Sequence, residues 1–466
     1  MENLNTELTL EILSRLPTDS VLRCTGVCKT WQTLIRHPYF AHIHHRRQLQ
    51  LLYGGGGRGG GGDKVGMGLL FWIGRFREKM GILQLHYRSN IDDDDDDGQQ
   101  QRHLYSKILT RIGNFEIQKD RSRNAVVGSC NGLICFSVPH HDVEDPIRIH
   151  NPITQEYVDL PRLRENIFEG CMASIASGFG YHPSTNQYKV VRIAYHPEEL
   201  MMGIVEVYTL GDGRGWRNIG EISYMLSCSL RGIYVNGALH WMDDNDPGKI
   251  VAFDLSDEEF RLLPSPPCVP LGEYHDDDDQ LFNLLKHYKL SQFGGRLCVI
   301  HWDERGENVD IWSLNKEDAD YHSWSWTREF SIARRGLYMN EYQPFQPFAL
   351  TENGEILLGS SLKILSLYDP KTATITKNLV DDDKGLTFFE AIPHVNSFVS
   401  LRALGEKSTT IIRKSKRVMQ RALLGEKYRT IGCTRVMQRA VLGEKSRAIR
   451  KSRSRIMHAK IQGWNS

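Results

Sequence analysis

Apolar residues recur every four positions at Leu8, Ile12 and Leu16, with Leu13 beside them. This spacing predicts a helix with an apolar stripe along one face. Asn5 can cap that helix, and Pro17 stops it. Thr18-Asp19-Ser20 offers capping side chains to a second helix. Val27, Trp31, Leu34 and Ile35 share a face of a third, which Pro38 ends. Residues 38–48 read as a closing helix rich in His and Arg. So small a unit cannot bury all its apolar surface alone. It must pack on the rest of the chain or be completed by a partner.

The pattern changes from about Tyr105 to Leu401, where short β-branched and aromatic runs alternate with turn residues. Examples are Lys189–Ile193, Ile204–Tyr208 and Lys249–Phe253. The dipeptides Asn131-Gly132, Asn236-Gly237 and Asn353-Gly354 predict tight hairpins. A second layout starts at His150, Tyr181 and Tyr368: a strand end, a Pro-x-Thr turn and a returning strand. A version without proline starts at Phe253. With Asn131, Gly178, Asn236, Gly294 and Asn353 as markers, successive units are 47, 58, 58 and 59 residues apart. Repeated antiparallel units without helices between them predict blades of a β-propeller rather than a sandwich. Strands from residues 105–127 and 386–401 would complete one more blade and close the ring, giving six.

Two stretches resemble known families. Leu8, Leu10–Pro17 and Val27–Trp31 closely resemble the F-box of plant F-box proteins. That resemblance implies docking to the Skp-type adaptor of a cullin ubiquitin ligase, with Leu8, Ile12, Leu13, Leu16, Pro17, Val27, Cys28 and Trp31 forming or supporting the surface. The family usually has Leu-Pro near the start, whereas Leu4 is followed by Asn5 here, which implies weaker docking. Gly128–Cys135, Asn151–Thr154, Gly180–His182, Val205–Tyr208, Asn236–Trp241 and Ile250–Leu255 resemble the F-box-associated interaction domain. In that family a kelch-like β-structure binds the protein to be ubiquitinated.

Composition adds little to this picture, but charge does. Over 466 residues, 40% are hydrophobic and 25% charged, as in an ordinary soluble globular protein. The net charge of +1 hides an asymmetry: from Arg402 onward 18 Lys and Arg stand against 3 Glu, so the body is acidic. Nine cysteines form no disulfide framework, and neither a leader, a glycosylation sequon nor a membrane-length apolar run is recognisable. These features point to the cytosol or nucleus.

Candidate chemistry is sparse. His42, His44 and His45 have no Cys or carboxylate at metal-site spacing, and no cofactor is expected. The Gly54–Gly62 run lacks the Gly-Lys-Ser/Thr of a phosphate loop and reads as a linker. Asp92–Asp97 begins like a calcium loop, but Leu104 stands where the bidentate Glu belongs. It reads as a solvated insertion, as do Asp276–Asp279 and Asp381–Asp383. Cys130 precedes a turn into an apolar strand, the setting of a structural cysteine.

The expected organisation is α+β and multidomain: a three-helix F-box (1–48), a linker with low-complexity insertions (49–104), an all-β propeller-like domain (105–401) and a basic, mostly disordered tail (402–466). Within the tail, Arg417–Ala422 returns as Arg435–Ala440. The favoured function is substrate recognition for a Skp–cullin–F-box ubiquitin ligase, with no catalysis and no membrane; the substrate is unidentified. The alternatives are nucleic-acid binding through the basic tail, or an enzyme using propeller residues such as His240 or His301.

Overall fold

Asn5 starts the first helix, its Oδ1 accepting the Glu7 amide at 3.3 Å. The computed structural model describes residues 5–53, 68–77, 80–88, 110–118, 126–140, 143–162, 174–196, 199–226, 231–269, 287–303, 307–315, 324–333, 346–351, 354–359, 365–380 and 388–410. The glycine-rich run, all three aspartate runs and the repeated tail from residue 411, with the nuclear or nucleic-acid role considered for it, lie outside the described residues.

Helix α1 spans Thr6–Ser14 and α2 Thr18–Cys24. The expected side-chain cap on α2 is absent. Pro17 is its N-cap and makes no side-chain bond; the φ of −55° that its ring imposes sets the entry instead. Helix α3 (Lys29–Arg36) is capped by Cys28, whose sulfur accepts the Trp31 amide at 3.5 Å. Pro38 opens α4 (Pro38–Tyr53), where its missing N–H costs no hydrogen bond. The helix passes the expected end at Gln48, since nothing before the glycine run breaks it.

The strands form antiparallel sheets. The first three, β1 (Gly68–Arg77), β2 (Met80–Arg88) and β3 (Thr110–Gln118), pair in that order. Next come β4 (Val126–Cys130), β5 (Leu133–His140), β6 (Val143–Asn151) and β7 (Glu156–Asp159). The third sheet holds β8 (Ser174–His182), β9 (Gln187–His196), β10 (Glu199–Thr209) and β11 (Trp216–Ile222). The fourth holds β12 (Ile233–Val235), β13 (Ala238–Asp243), β14 (Asp246–Asp254) and β15 (Phe260–Leu263). The fifth is β16 (Tyr288–Phe293), β17 (Arg296–Trp302), β18 (Asn308–Asn315) and β19 (Ser325–Ala333). The last new sheet is β20 (Gln346–Leu350), β21 (Ile356–Gly359), β22 (Leu365–Asp369) and β23 (Thr374–Val380).

Two late strands close the arrangement. β24 (Phe388–His394) pairs with β1 and completes the first sheet. β25 (Thr409–Thr410) adds to β7 and makes that sheet five-stranded; the other described sheets have four strands. Successive inner strands touch one another around a common axis: β4 meets β8, β8 meets β12, β12 meets β16, and β16 meets β20. β24 meets β4 and brings the late strand into that inner circle. The apolar core lies between neighbouring sheets: Phe179 and Val190 pack with Leu133 and Val158, while Trp241 and Phe253 pack with Val205 and Ile193. This is a β-propeller and not a two-sheet sandwich.

Both ends of the propeller differ from expectation. Residues 68–88 fall in the expected linker, yet they supply β1 and β2. Pairing β24 with β1 covers the open backbone groups of β1 and ties the early strands to the late one. Residues 402–410, expected in the tail, also belong to the body. Glu406 Oε1 accepts the Gly211 amide at 2.8 Å, and Leu404 packs on the core. Gly178, one of the spacing markers, lies within β8 rather than at a turn; the equivalent turn joins β8 to β9.

Candidate adaptor-docking surface and axial cavity

The apolar stripe of α1 faces outward. Its buried residues are Thr9, Leu13 and Ser14, whereas Leu8 is 54% exposed and Ile12 and Leu16 are half-buried. Leu13, expected on the docking surface, is fully buried and belongs to the bundle core. Val27 is 50% exposed, Cys28 is exposed, and Pro17 and Trp31 are half-buried. The pattern reading missed Tyr39, 58% exposed beside the buried Phe40. The alternation at the start of α4 is the only signal that could have found it. Leu8, Val27 and Tyr39 are the large apolar side chains that the described part of the helical module exposes.

Polar contacts lock this face in place from behind. Arg47 Nη2 pairs with Glu11 Oε2 at 2.5 Å, and Arg47 also bonds the Glu11 carbonyl and the Ser14 hydroxyl. Hydrogen bonds from Arg47 and Arg15 hold the Glu11 carboxyl below its ordinary range. His44 Nε2 sits 3.1 Å from the Leu16 carbonyl, and burial pushes this imidazole down to about 4. His42 is exposed, and no metal-ligating cluster occurs among the described residues.

The same helix α4 fastens the helical module to the propeller. Phe40 and His44 meet Phe398, with ring centroids 5.6 and 5.2 Å away. Behind Phe398, the buried Asn151 donates to the carbonyls of Ser397 (3.2 Å) and Val399 (2.6 Å), and Ser397 Oγ donates to the Asn131 carbonyl at 2.9 Å. The strap of residues 394–401 is therefore bonded to the propeller on one side and packed on the helices on the other.

At the propeller axis lies a cavity of about 160 Å³. Each inner strand contributes wall residues, among them Ser129, Phe179, Ile233, Leu290, Phe348 and Ile392. His240 also lines it, with Nδ1 2.9 Å from the Ile233 carbonyl; His301 instead stacks on Tyr288. One pair resembles a catalytic dyad: Ser129 Oγ lies 2.8 Å from His394 Nδ1. Burial pushes His394 down to about 3, too weak a base to draw a proton from serine near neutral pH. Burial also drives the Cys130 thiol far above its ordinary range, away from nucleophilic chemistry.

Comparison with known proteins agrees with both halves of this geometry. Residues 1–42 match the F-box domain family, and residues 97–392 match the family described as the F-box associated beta propeller domain. This chain belongs to the plant F-box proteins. It is 25% identical to the Arabidopsis thaliana F-box protein At3g07870 over 410 residues, covering 80% of this chain and 86% of that one. The F-box/kelch-repeat protein At3g23880 of the same plant is 26% identical over 69% of this chain and 78% of its own length. The Arabidopsis F-box/LRR-repeat protein At2g43260 is 25% identical, covering 78% and 76%. Among the described residues no helix is long and apolar enough to cross a membrane.

Proposed function

We propose that this F-box protein is the substrate-recognition subunit of a Skp–cullin–F-box ubiquitin ligase and is not itself catalytic. Its F-box holds the Skp-type adaptor, and through it the cullin, while the propeller holds the protein to be ubiquitinated. This reading carries with it a location in the cytoplasm or nucleus. The observation that carries it is the outward side of α1: Leu8 is 54% exposed, Ile12 and, just past the helix end, Leu16 are only half-buried, and Leu13 fills the bundle core. In the proposed complex Leu8, Ile12, Leu16, Val27 and Trp31 meet the adaptor, with Pro17 and Cys28 placing α2 and α3.

Leu8→Asp combined with Val27→Asp tests this directly, because both side chains are exposed and the fold is spared. Adaptor affinity is expected to fall by about 2 kcal/mol or more, roughly thirtyfold, as at interface anchor residues. Pull-down of purified adaptor by the variant reads the loss. Undiminished binding by a variant that melts like the parent would remove the receptor reading.

A further inference from the structure

The axial cavity has a chemical bias that the receptor reading does not explain. Among its described wall residues two are cationic, Arg231 on the approach to β12 and Lys289 on β16, and none carries a carboxylate. This holds in a chain whose charge outside its basic end is acidic. Lys289 Nζ donates to the Gln346 amide oxygen at 2.9 Å, which holds the ammonium between β16 and β20.

A second observation is independent of those charges. Trp241 is 1% exposed and lines the cavity, and its Nε1–H has no hydrogen-bond partner among the described residues. A buried indole N–H ordinarily finds an acceptor, because it can only donate and pays for desolvation otherwise. It sits beside Gly232, also a wall residue: a Cβ placed there would lie 2.9 Å from the indole nitrogen and 2.5 Å from the ring. Only glycine at 232 lets the backbone lie this close to the N–H edge of the indole. Arg231, the neighbouring residue, lines the same cavity.

Ammonium, guanidinium and indole N–H are all donors without acceptor capacity. Their complement is a compact anionic group with several acceptor oxygens. At about 160 Å³ the cavity is smaller than the roughly 300–1,000 Å³ of sites for drug-sized molecules, and suits one side chain. Phe179 and Phe348 supply apolar walls for the stem of that side chain.

We infer that the axial cavity captures an oxyanion-bearing side chain of the target protein, a carboxylate or a phosphoryl group, through Arg231, Lys289 and the Trp241 N–H. This rests on reading the propeller as the target-binding part.

The full-length chain bound to its adaptor is titrated with a short fluorescein-labelled peptide of alternating glycine and glutamate. Its glutamine twin, and a twin with phosphoserine in place of glutamate, are run beside it. At least one acidic peptide is expected to bind about tenfold or more tighter than the glutamine twin, as charge-assisted hydrogen bonds warrant. Its affinity should fall with added salt. The tighter of the two acidic peptides identifies the source of the oxyanion. Arg231→Gln with Lys289→Gln should remove the preference, and Trp241→Phe, which keeps the ring and deletes the donor, should weaken acidic binding several-fold.

Equal binding of acidic and glutamine peptides by the parent protein overturns the inference, and needs no variant to do so. An unchanged acidic preference in a double variant that melts like the parent overturns it as well. Either result, with adaptor pull-down intact, leaves the receptor reading standing. Adaptor binding that survives Leu8→Asp with Val27→Asp removes that reading on separate grounds.

Discussion

Four turns share one strained residue. Gln155, Asn186, Glu258 and Ala373 each occupy the sixth position of the layout that starts at His150, Tyr181, Phe253 and Tyr368, and each has φ between 53° and 61°. In three of them the second residue pins the turn: Asn151, Asp254 and Asp369 accept the amides of Ile153, Ser256 and Lys371 at 2.7 to 2.9 Å. These side-chain bonds hold a left-handed residue that is not glycine, at a cost of about 1 kcal/mol each. Glu258 has a compensating role, since it pairs with Lys189 and Arg217. Ala373 has no such contacts. Ala373→Gly should therefore raise stability by roughly 0.5–1 kcal/mol, read from the urea midpoint. A lowered midpoint would mean that the left-handed turn is not where the strain lies. Gly132 is the opposite case: its φ is +83°, and an added Cβ would fall 2.5 Å from the Ser397 Cβ in the strap.

Among elements, α4 and the 394–401 strap decide how the F-box is mounted. Their junction buries histidines from both sides: His44 and His45 from α4, His150 from β6 and His394 from β24. Burial pushes His44 and His150 down to about 4 and His394 to about 3, and lowers His45 as well. The sign follows from this. The unfolded chain takes up the protons of His44, His150 and His394 near pH 6.5, while the folded chain refuses them until pH 3 to 4. Stability is thus whole above pH 6.5 and falls as pH drops toward 4, by about 1.4 kcal/mol per pH unit for each histidine. Neighbouring charges at the joint include Arg47 and Arg148, which also disfavour protonation there. Thermal melts between pH 7 and pH 4.5 check this. His44→Gln, which keeps a polar group facing the Leu16 carbonyl, should flatten the profile; an unaltered pH slope would place the acid sensitivity elsewhere.

At the scale of the molecule, the propeller is closed by segments that flank it on both sides. β1 and β2 come before the aspartate-rich insertion, and β25 follows the strap. A fragment of residues 105–401 therefore lacks two strands of the first sheet and the Glu406 contacts to Tyr208 and Gly211. It should melt without a cooperative transition. A chain ending at Thr410 should melt like the full-length protein, and one ending at Leu401 should melt lower, because Glu406 and Leu404 are lost. Scanning calorimetry of the three forms separates these outcomes; cooperative melting of 105–401 would show that β1 and β2 are dispensable.

Local physics made much of this legible in the sequence. The four-residue spacing of Leu8 and Ile12 is written into α1, which ends two residues before Leu16, and the Asn-Gly pairs at 131 and 236 adopt the positive φ angles their chemistry favours. The repeated turns and short β-branched runs sufficed for a propeller, and the two family resemblances pointed to an F-box protein. Other features depend on residues far apart in the chain. Periodicity cannot say which face of α1 meets the core, so only packing against α4 showed that Leu13 is inside and Leu8 outside. Strand pairing between residues 68–77 and 388–394 leaves no local signal, since backbone hydrogen bonds carry no residue code; that is why β1 and β2 read as linker. The cavity chemistry is equally non-local. Arg231, Trp241 and Lys289 acquire a shared role only because β13, β16 and the approach to β12, from two sheets, bring them to one axis.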